Sequence, residues 1–126
     1  MAIRCLIVDD HRRFLDSAST LLQREGLEVV AVATTSDEAR GQVDALDPDV
    51  ILVDVFLGEE SGLELARRLV ADGRSDAATV ILISSHSALD LGELIAGSPA
   101  AGFITKAELS AAAIRGVIDA NGHRDT

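Results

Sequence analysis

Four groups of residues in this chain could do chemistry together: the acidic pair Asp9-Asp10, Asp54, the hydroxyls Ser84-Ser85, and Thr105-Lys106. Each follows a short apolar run. Lys106 stands out as the only lysine, the other ten of the eleven basic residues being arginine. Taken singly, each group has a plainer reading: a solvated turn, a helix cap, a surface lysine with its stem along apolar neighbours. Gathered in one place they would form a site. Three carboxylates within a few ångströms repel, and one keeps its proton unless a cation neutralises them. With no histidine or cysteine counted among the donors, oxygen ligands select a hard cation, and magnesium takes one or two carboxylates alongside water and phosphate oxygens. Lys106 would add a second positive charge opposite the metal. The slot between suits a phosphoryl group. Asp54 is the candidate nucleophile, a carboxylate able to form an aspartyl phosphate, and the Ser84 hydroxyl would hold the phosphoryl oxygens.

The elements that must position these residues are legible in the hydropathy. Apolar runs recur at Ile3–Val8, Leu27–Ala33, Val50–Val53, Val80–Ile83 and Ala100–Ile104. They are rich in β-branched residues and do not alternate, as in strands buried on both faces of a parallel sheet. Between them the spacing is helical. Phe14, Leu15, Ala18, Leu21 and Leu22 form one stripe, and Leu63, Ala66, Leu69 and Val70 another, with Ser61 as N-cap and Glu64 three residues on. Ser36 with Asp37-Glu38 opens a helix that ends before Pro48. Ala88–Ala96 is a weaker helix interrupted by Gly92, and Ala107–Ala120 is the last. Turn residues at Gly26, Asp47-Pro48, Gly58, Asp72-Gly73 and Ser98-Pro99 separate the units. The order is β-α five times, which predicts an α/β, doubly wound, five-stranded parallel sheet of the flavodoxin-like (βα)5 type, strand order 2-1-3-4-5. Ligands of such sheets bind beyond the carboxyl ends of the strands. All four groups lie at those ends, with Asp54 on the central strand.

Composition narrows the function further. The 126 residues make one domain. A net charge of −10 opposes direct binding to nucleic acid or to an anionic membrane surface. No apolar run approaches the roughly 18 residues of a membrane span, and no signal peptide is visible at the N-terminus. The single cysteine, Cys5, excludes an intramolecular disulfide framework and a cysteine zinc site. It reads as a small buried strand residue in a reducing cytoplasm.

With these landmarks in place the chain resembles the receiver domain of two-component response regulators, the chemotaxis-regulator-like family, from Ile3 to about Ala120. The resemblance rests on Leu6-Ile7-Val8-Asp9-Asp10-His11, Pro48-Asp49-Val50-Ile51-Leu52-Val53-Asp54, Gly62 eight residues after Asp54, Ser84 with the small Ser85, and Gly102-Phe103-Ile104-Thr105-Lys106. It implies that Asp54 accepts a phosphoryl group from a sensor histidine kinase. It further implies that Asp10 binds magnesium directly, Asp9 mainly through water, and the Phe56 backbone carbonyl completes the protein ligands. Ser84 and Lys106 would grip the phosphoryl group, and Phe103 would be the aromatic switch. No organic cofactor is implied. The protein would be a signalling switch and not an enzyme acting on other molecules. Residues 1–120 would form the receiver and 121–126 a tail or the start of a linker. The face of the fourth helix, fifth strand and fifth helix, where Ala111, Ala112 and Gly116 are expected to be exposed, would serve a homodimer. A C-terminal DNA-binding output domain would lie outside this chain.

Some positions depart from the family pattern. Gly58 and Ala107 stand where prolines are common, and the bond before Ala107 is expected trans because a cis bond before a non-proline costs about 3 kcal/mol. Phe56 and His86 flank the phosphoryl position. His11 reads as an exposed first-turn residue, with contact to the metal site as the alternative; Phe14 reads as core, and Glu59-Glu60 as solvated charge, with a role in partner choice as the alternative. Among competing classes, a haloacid-dehalogenase-type phosphatase needs an aspartate where Phe56 stands. A flavodoxin would not place Asp9-Asp10-His11 against a flavin phosphate, and a dinucleotide fold lacks GxGxxG. The remaining alternative is a receiver-like interaction module without phosphotransfer.

Overall fold

The computed structural model describes residues 2–71, 78–86 and 88–122. In chain order the elements are β1 (Arg4–Val8), α1 (Arg12–Arg24), β2 (Glu28–Ala33), α2 (Ser36–Leu46), β3 (Val50–Asp54), β4 (Phe56–Leu57), β5 (Glu60–Ser61), α3 (Gly62–Ala71), β6 (Thr79–Ser84), α4 (Ala88–Ala96), β7 (Gly102–Thr105), a 3-10 turn (Lys106–Glu108) and α5 (Ala111–Gly122). The main sheet is parallel in the order β2-β1-β3-β6-β7, which is 2-1-3-4-5 once the small antiparallel hairpin β4–β5 is set aside. The expected Asp72-Gly73 turn and residues 123–126 of the expected tail lie outside the described residues, whereas Asn121 and Gly122 belong to α5.

The unbroken apolar runs have a direct cause. In β1, β3 and β6 successive side chains enter opposite cores. Leu6, Val8, Ile51, Val53, Val80 and Leu82 pack with Val43 of α2, Leu65 and Leu69 of α3 and Leu91 of α4. Cys5, Ile7, Val50, Leu52, Ile81 and Ile83 pack with Leu15 and Leu22 of α1 and Ile114 of α5. A strand covered on both faces has no polar side, so period-two alternation disappears. The expectation fails for the two edge strands, β2 and β7, most of whose residues are only partly covered. Burial pushes the Cys5 thiol up to about 12, which makes it an inert core residue.

Helix boundaries follow capping chemistry. Ser61 caps α3 as its sequence suggests, its Oγ accepting from the Glu64 amide at 3.2 Å. At α2 the cap is Thr35, one residue earlier than expected, with its Oγ1 accepting from the Glu38 amide at 3.2 Å. The last helix starts four residues later than its composition suggests. Buried Leu109 is extended (φ −61°, ψ 127°), and Ser110 Oγ accepts from Ala113 N at 3.0 Å, so α5 begins at Ala111. Ala111 is buried there and not exposed, its amide donating to Glu25 Oε1 at 2.7 Å. Ala112 and Gly116 do face outward. Every described peptide bond is trans, including that before Ala107.

Candidate functional site

The carboxyl edge of the sheet gathers the expected residues. Asp54 ends the central strand, flanked by β1 and β6, and is 3% exposed. Asp9 directly follows β1, its amide held by the Ala33 carbonyl at 3.0 Å, and its side chain is fully buried. Lys106 follows β7 and reaches across: Nζ lies 2.6 Å from Asp9 Oδ2 and 3.3 Å from Asp54 Oδ2, and 4.4 Å from the centroid of the Phe14 ring. Phe14 is thus part of the lysine's cradle as well as a core neighbour. Thr105 Oγ1 donates to Glu108 Oε1 at 2.8 Å, closing the 3-10 turn from which Lys106 extends.

Three negative groups set the electrostatics. Asp54 has its pKa raised above the usual 3.8, first by burial and then by the charge of Asp9; Lys106 and the Phe56 amide act in the opposite sense. That amide donates to Asp54 Oδ1 at 3.2 Å. Asp9 Oδ2 accepts no hydrogen bond of good geometry, and Lys106 is its charge partner. Asp10 lies further out, beside the Gly58 turn, where φ is +61° and an added Cβ would stand 3.2 Å from Asp10 Oδ2. Donor atoms of Asp9, Asp10 and Asp54 fall within 4.8 Å of one another, so the three carboxylates fit a hard divalent cation.

The other expected residues surround this centre. Ser84 ends β6 one register position beyond the partner of Asp54 and is buried, its Oγ accepting from His86 N at 3.1 Å. The Phe56 ring is 48% exposed and meets the His86 ring edge-on at 5.3 Å. Phe103, half-buried on β7, borders an open groove of about 410 Å³ shared with Glu108, Ala113, Gly116 and Val117.

Sequence reasoning missed two features and set a third aside. His11, read as an exposed first-turn residue in preference to a neighbour of the metal site, is indeed exposed, yet its Nδ1 lies 3.0 Å from Asp9 Oδ1 and 3.2 Å from Asp10 Oδ1. Glu60, read as solvated charge, accepts the Ser36 amide at 2.9 Å and ties the hairpin after Asp54 to the start of α2. The sequence shows only the spacing of Gly62 from Asp54; an added Cβ there would lie 1.7 Å from the Asp54 carbonyl oxygen. A contact between the Asp54 peptide and a helix start eight residues on explains why that spacing carries a glycine.

A parallel (βα)5 sheet with acids, a hydroxyl and a lysine at its carboxyl edge defines a class, and the comparisons agree with it. Residues 5–118 match the family of the response regulator receiver domain. The chain belongs to that family and is a module of two-component signal transduction. It is 26% identical over 106 residues to the DNA-binding transcriptional activator EvgA of Escherichia coli K12, covering 84% of this chain and 51% of that protein. To the response regulator GacA of Pseudomonas viridiflava it is 32% identical over 105 residues, covering 82% and 48%. The fold is shared with a CheY-like receiver domain protein of Methanospirillum hungatei, with TM-score 0.77, 23% identity, and coverage of 99% and 98%. The chain therefore spans about half the length of the curated relatives it matches. Among the described residues no helix is long and apolar enough to cross a membrane.

Proposed function

We propose that Asp54 takes a phosphoryl group from a phosphohistidine of a sensor histidine kinase, and that the resulting acyl phosphate switches a partner-binding face. The observation that carries this reading is a nucleophilic carboxylate held at the end of the central strand, with a lysine ammonium 3.3 Å from it and two further carboxylates beside it. An Asp54 oxygen forms a bond to phosphorus as the P–N bond of the donor breaks. The donor imidazole leaves with that electron pair and takes a proton from solvent. Magnesium, when held by Asp9, Asp10, Asp54 and the Phe56 carbonyl, supplies positive charge that offsets the phosphoryl oxygens. Lys106 contributes a second cation from the opposite side, already oriented by Asp9 and by the Phe14 ring. The Ser84 hydroxyl, on the adjacent strand, donates to a phosphoryl oxygen.

A ligand moves a conformational equilibrium only through contacts that differ between the two states. Ser84 shifting toward the phosphoryl group and Phe103 turning into the vacated space supply that difference. The face biased is α4–β7–α5, which carries the groove beside Phe103. A homodimer, or an output domain attached beyond this receiver of residues 1–120, would read it; that one relative is a DNA-binding activator supports the second. The setting is cytoplasmic, and the chain catalyses only its own phosphorylation and dephosphorylation.

Labelling with acetyl phosphate and magnesium should add one acid-stable, base-labile phosphoryl group, lost in Asp54→Asn and on chelation of the metal. Labelling that persists on another residue would overturn the assignment, and no labelling at all would favour an interaction module without phosphotransfer. Phe103→Ala should keep the label while weakening the coupling to the face, normally about 1–3 kcal/mol. That loss is measurable as amide exchange with and without beryllofluoride.

A further inference from the structure

Packing accounts for only part of where Phe14 sits. It belongs to the first turn of α1, beside Leu15 and Ala18, which are buried between that helix and the sheet. Phe14 itself is only partly covered. The Lys106 ammonium stands over the face of its ring, 4.4 Å from the centroid. The Lys106 side chain is 16% exposed, so much of the water that surrounds a free ammonium is stripped away. Three groups meet the cation instead: Asp9 Oδ2 at 2.6 Å, Asp54 Oδ2 at 3.3 Å, and the ring. Of the two carboxylates Asp9 is the nearer, and its Oδ2 accepts no well-aligned hydrogen bond from another group. On a flexible four-carbon stem, an ammonium left to the carboxylates alone would be drawn onto Asp9 and away from the oxygen that reacts. An aromatic face attracts a cation only within about 6 Å of its centroid, so the ring restricts the ammonium to positions above itself.

We infer that Phe14 is a positioning residue for phosphoryl transfer: the negative face of its ring, and not its bulk, keeps the Lys106 ammonium beside Asp54. The inference rests on the reading of Asp54 as the phosphoacceptor. Phe14 touches no reacting atom in this arrangement and acts through the lysine. At a mostly desolvated site the attraction of ring for cation is worth about tenfold in occupancy of the held position. Because the ammonium is one of the two positive charges that offset the phosphoryl oxygens, loss of that position slows the transfer and does not abolish it.

The test uses the whole chain with two replacements at this position. Phe14→Leu removes the ring, and a trifluorinated phenylalanine incorporated in place of Phe14 keeps the ring's shape while cancelling the negative charge of its face. Protein grown on ¹³C-lysine reports a single side chain by NMR, since Lys106 is the only lysine. In the parent the Lys106 Hε protons should lie upfield of free lysine, shielded by the ring. In the trifluorinated chain they should return toward the free position although a ring is still present. The initial rate of labelling by acetyl phosphate and Mg²⁺, at matched folded protein, should fall about three- to tenfold in both variants. If the trifluorinated chain keeps the shielded resonance and the parent's rate while Phe14→Leu loses both, the ring acts by bulk and the inference is overturned. Parent-like rates in both variants overturn it too, and leave Asp54 standing as the phosphoacceptor. A parent that takes no label overturns the phosphoacceptor reading and the positioning role with it, even where the shielded lysine resonance is found.

Discussion

Gly62 gives the sharpest test of how the backbone holds the site. An ideal Cβ added there would lie 1.7 Å from the Asp54 carbonyl oxygen, 2.7 Å from its carbonyl carbon and 3.2 Å from Val53 Cγ1. Two of the three obstacles are backbone atoms of the central strand, so no rotamer change relieves them. To restore even 3.0 Å the start of α3 and the end of β3 must part by about 1.3 Å. That movement breaks the bond from Gly62 N to the Val55 carbonyl, now 3.0 Å. Overpacking costs about 1–3 kcal/mol and the lost hydrogen bond about 1 kcal/mol, so Gly62→Ala should lose about 2–4 kcal/mol. The residue displaced is Asp54 itself, and a misplacement of about 1 Å can cost about 100-fold in rate. Urea unfolding followed by circular dichroism, and the initial rate of acetyl phosphate labelling at matched folded protein, measure the two effects. Gly41, Gly92 and Gly116 sit within helices where an added Cβ meets nothing within 4 Å. Their alanine variants should each gain about 0.5–1 kcal/mol. A Gly62→Ala protein as stable and as readily labelled as its parent would refute the reasoning.

Asp54→Asn should raise stability at neutral pH. The folded state holds the Asp54 proton more tightly than the unfolded chain, so ionisation costs stability as pH rises through the raised value, and the cost vanishes below the usual 3.8. Urea midpoints at neutral and acidic pH should show the advantage of the variant shrinking as pH falls; a variant less stable than the parent at neutral pH contradicts this. Lys106→Met removes the ammonium from two buried carboxylates and should cost about 3 kcal/mol, yet leave Mg²⁺ affinity unchanged or tighter by calorimetry. In the same assay Asp10→Ala should weaken Mg²⁺ far more than Ser84→Ala. Glu60→Ala should cost about 0.5–1 kcal/mol by removing a carboxylate from the start of α2, with a smaller loss at high salt, while Glu59→Ala should match the parent.

The sequence by itself determined the strands β1, β3 and β6, because a segment covered on both faces must be apolar throughout. It also determined the carboxyl edge as the place of chemistry, because five β-α units admit few topologies and each ends its strand on that edge. Asp9, Asp54, Ser84 and Lys106 were therefore legible together, although 52 residues separate Asp54 from Lys106. The hairpin β4–β5 was not legible, since two-residue strands carry no periodicity. Nor was the start of α5, where alanines favour helix equally from Ala107 onward and only the burial of Leu109 and the Ser110 cap select Ala111. Tertiary structure alone decided where side chains point. That His11 turns from its own helix to the acidic pair, that Glu60 reaches the amide of Ser36, and that Gly62 touches the Asp54 peptide are contacts across space. Local pattern records which residues must be buried or capped; it does not record which distant atom fills the remaining space, because that is settled only when the sheet and helices close around it.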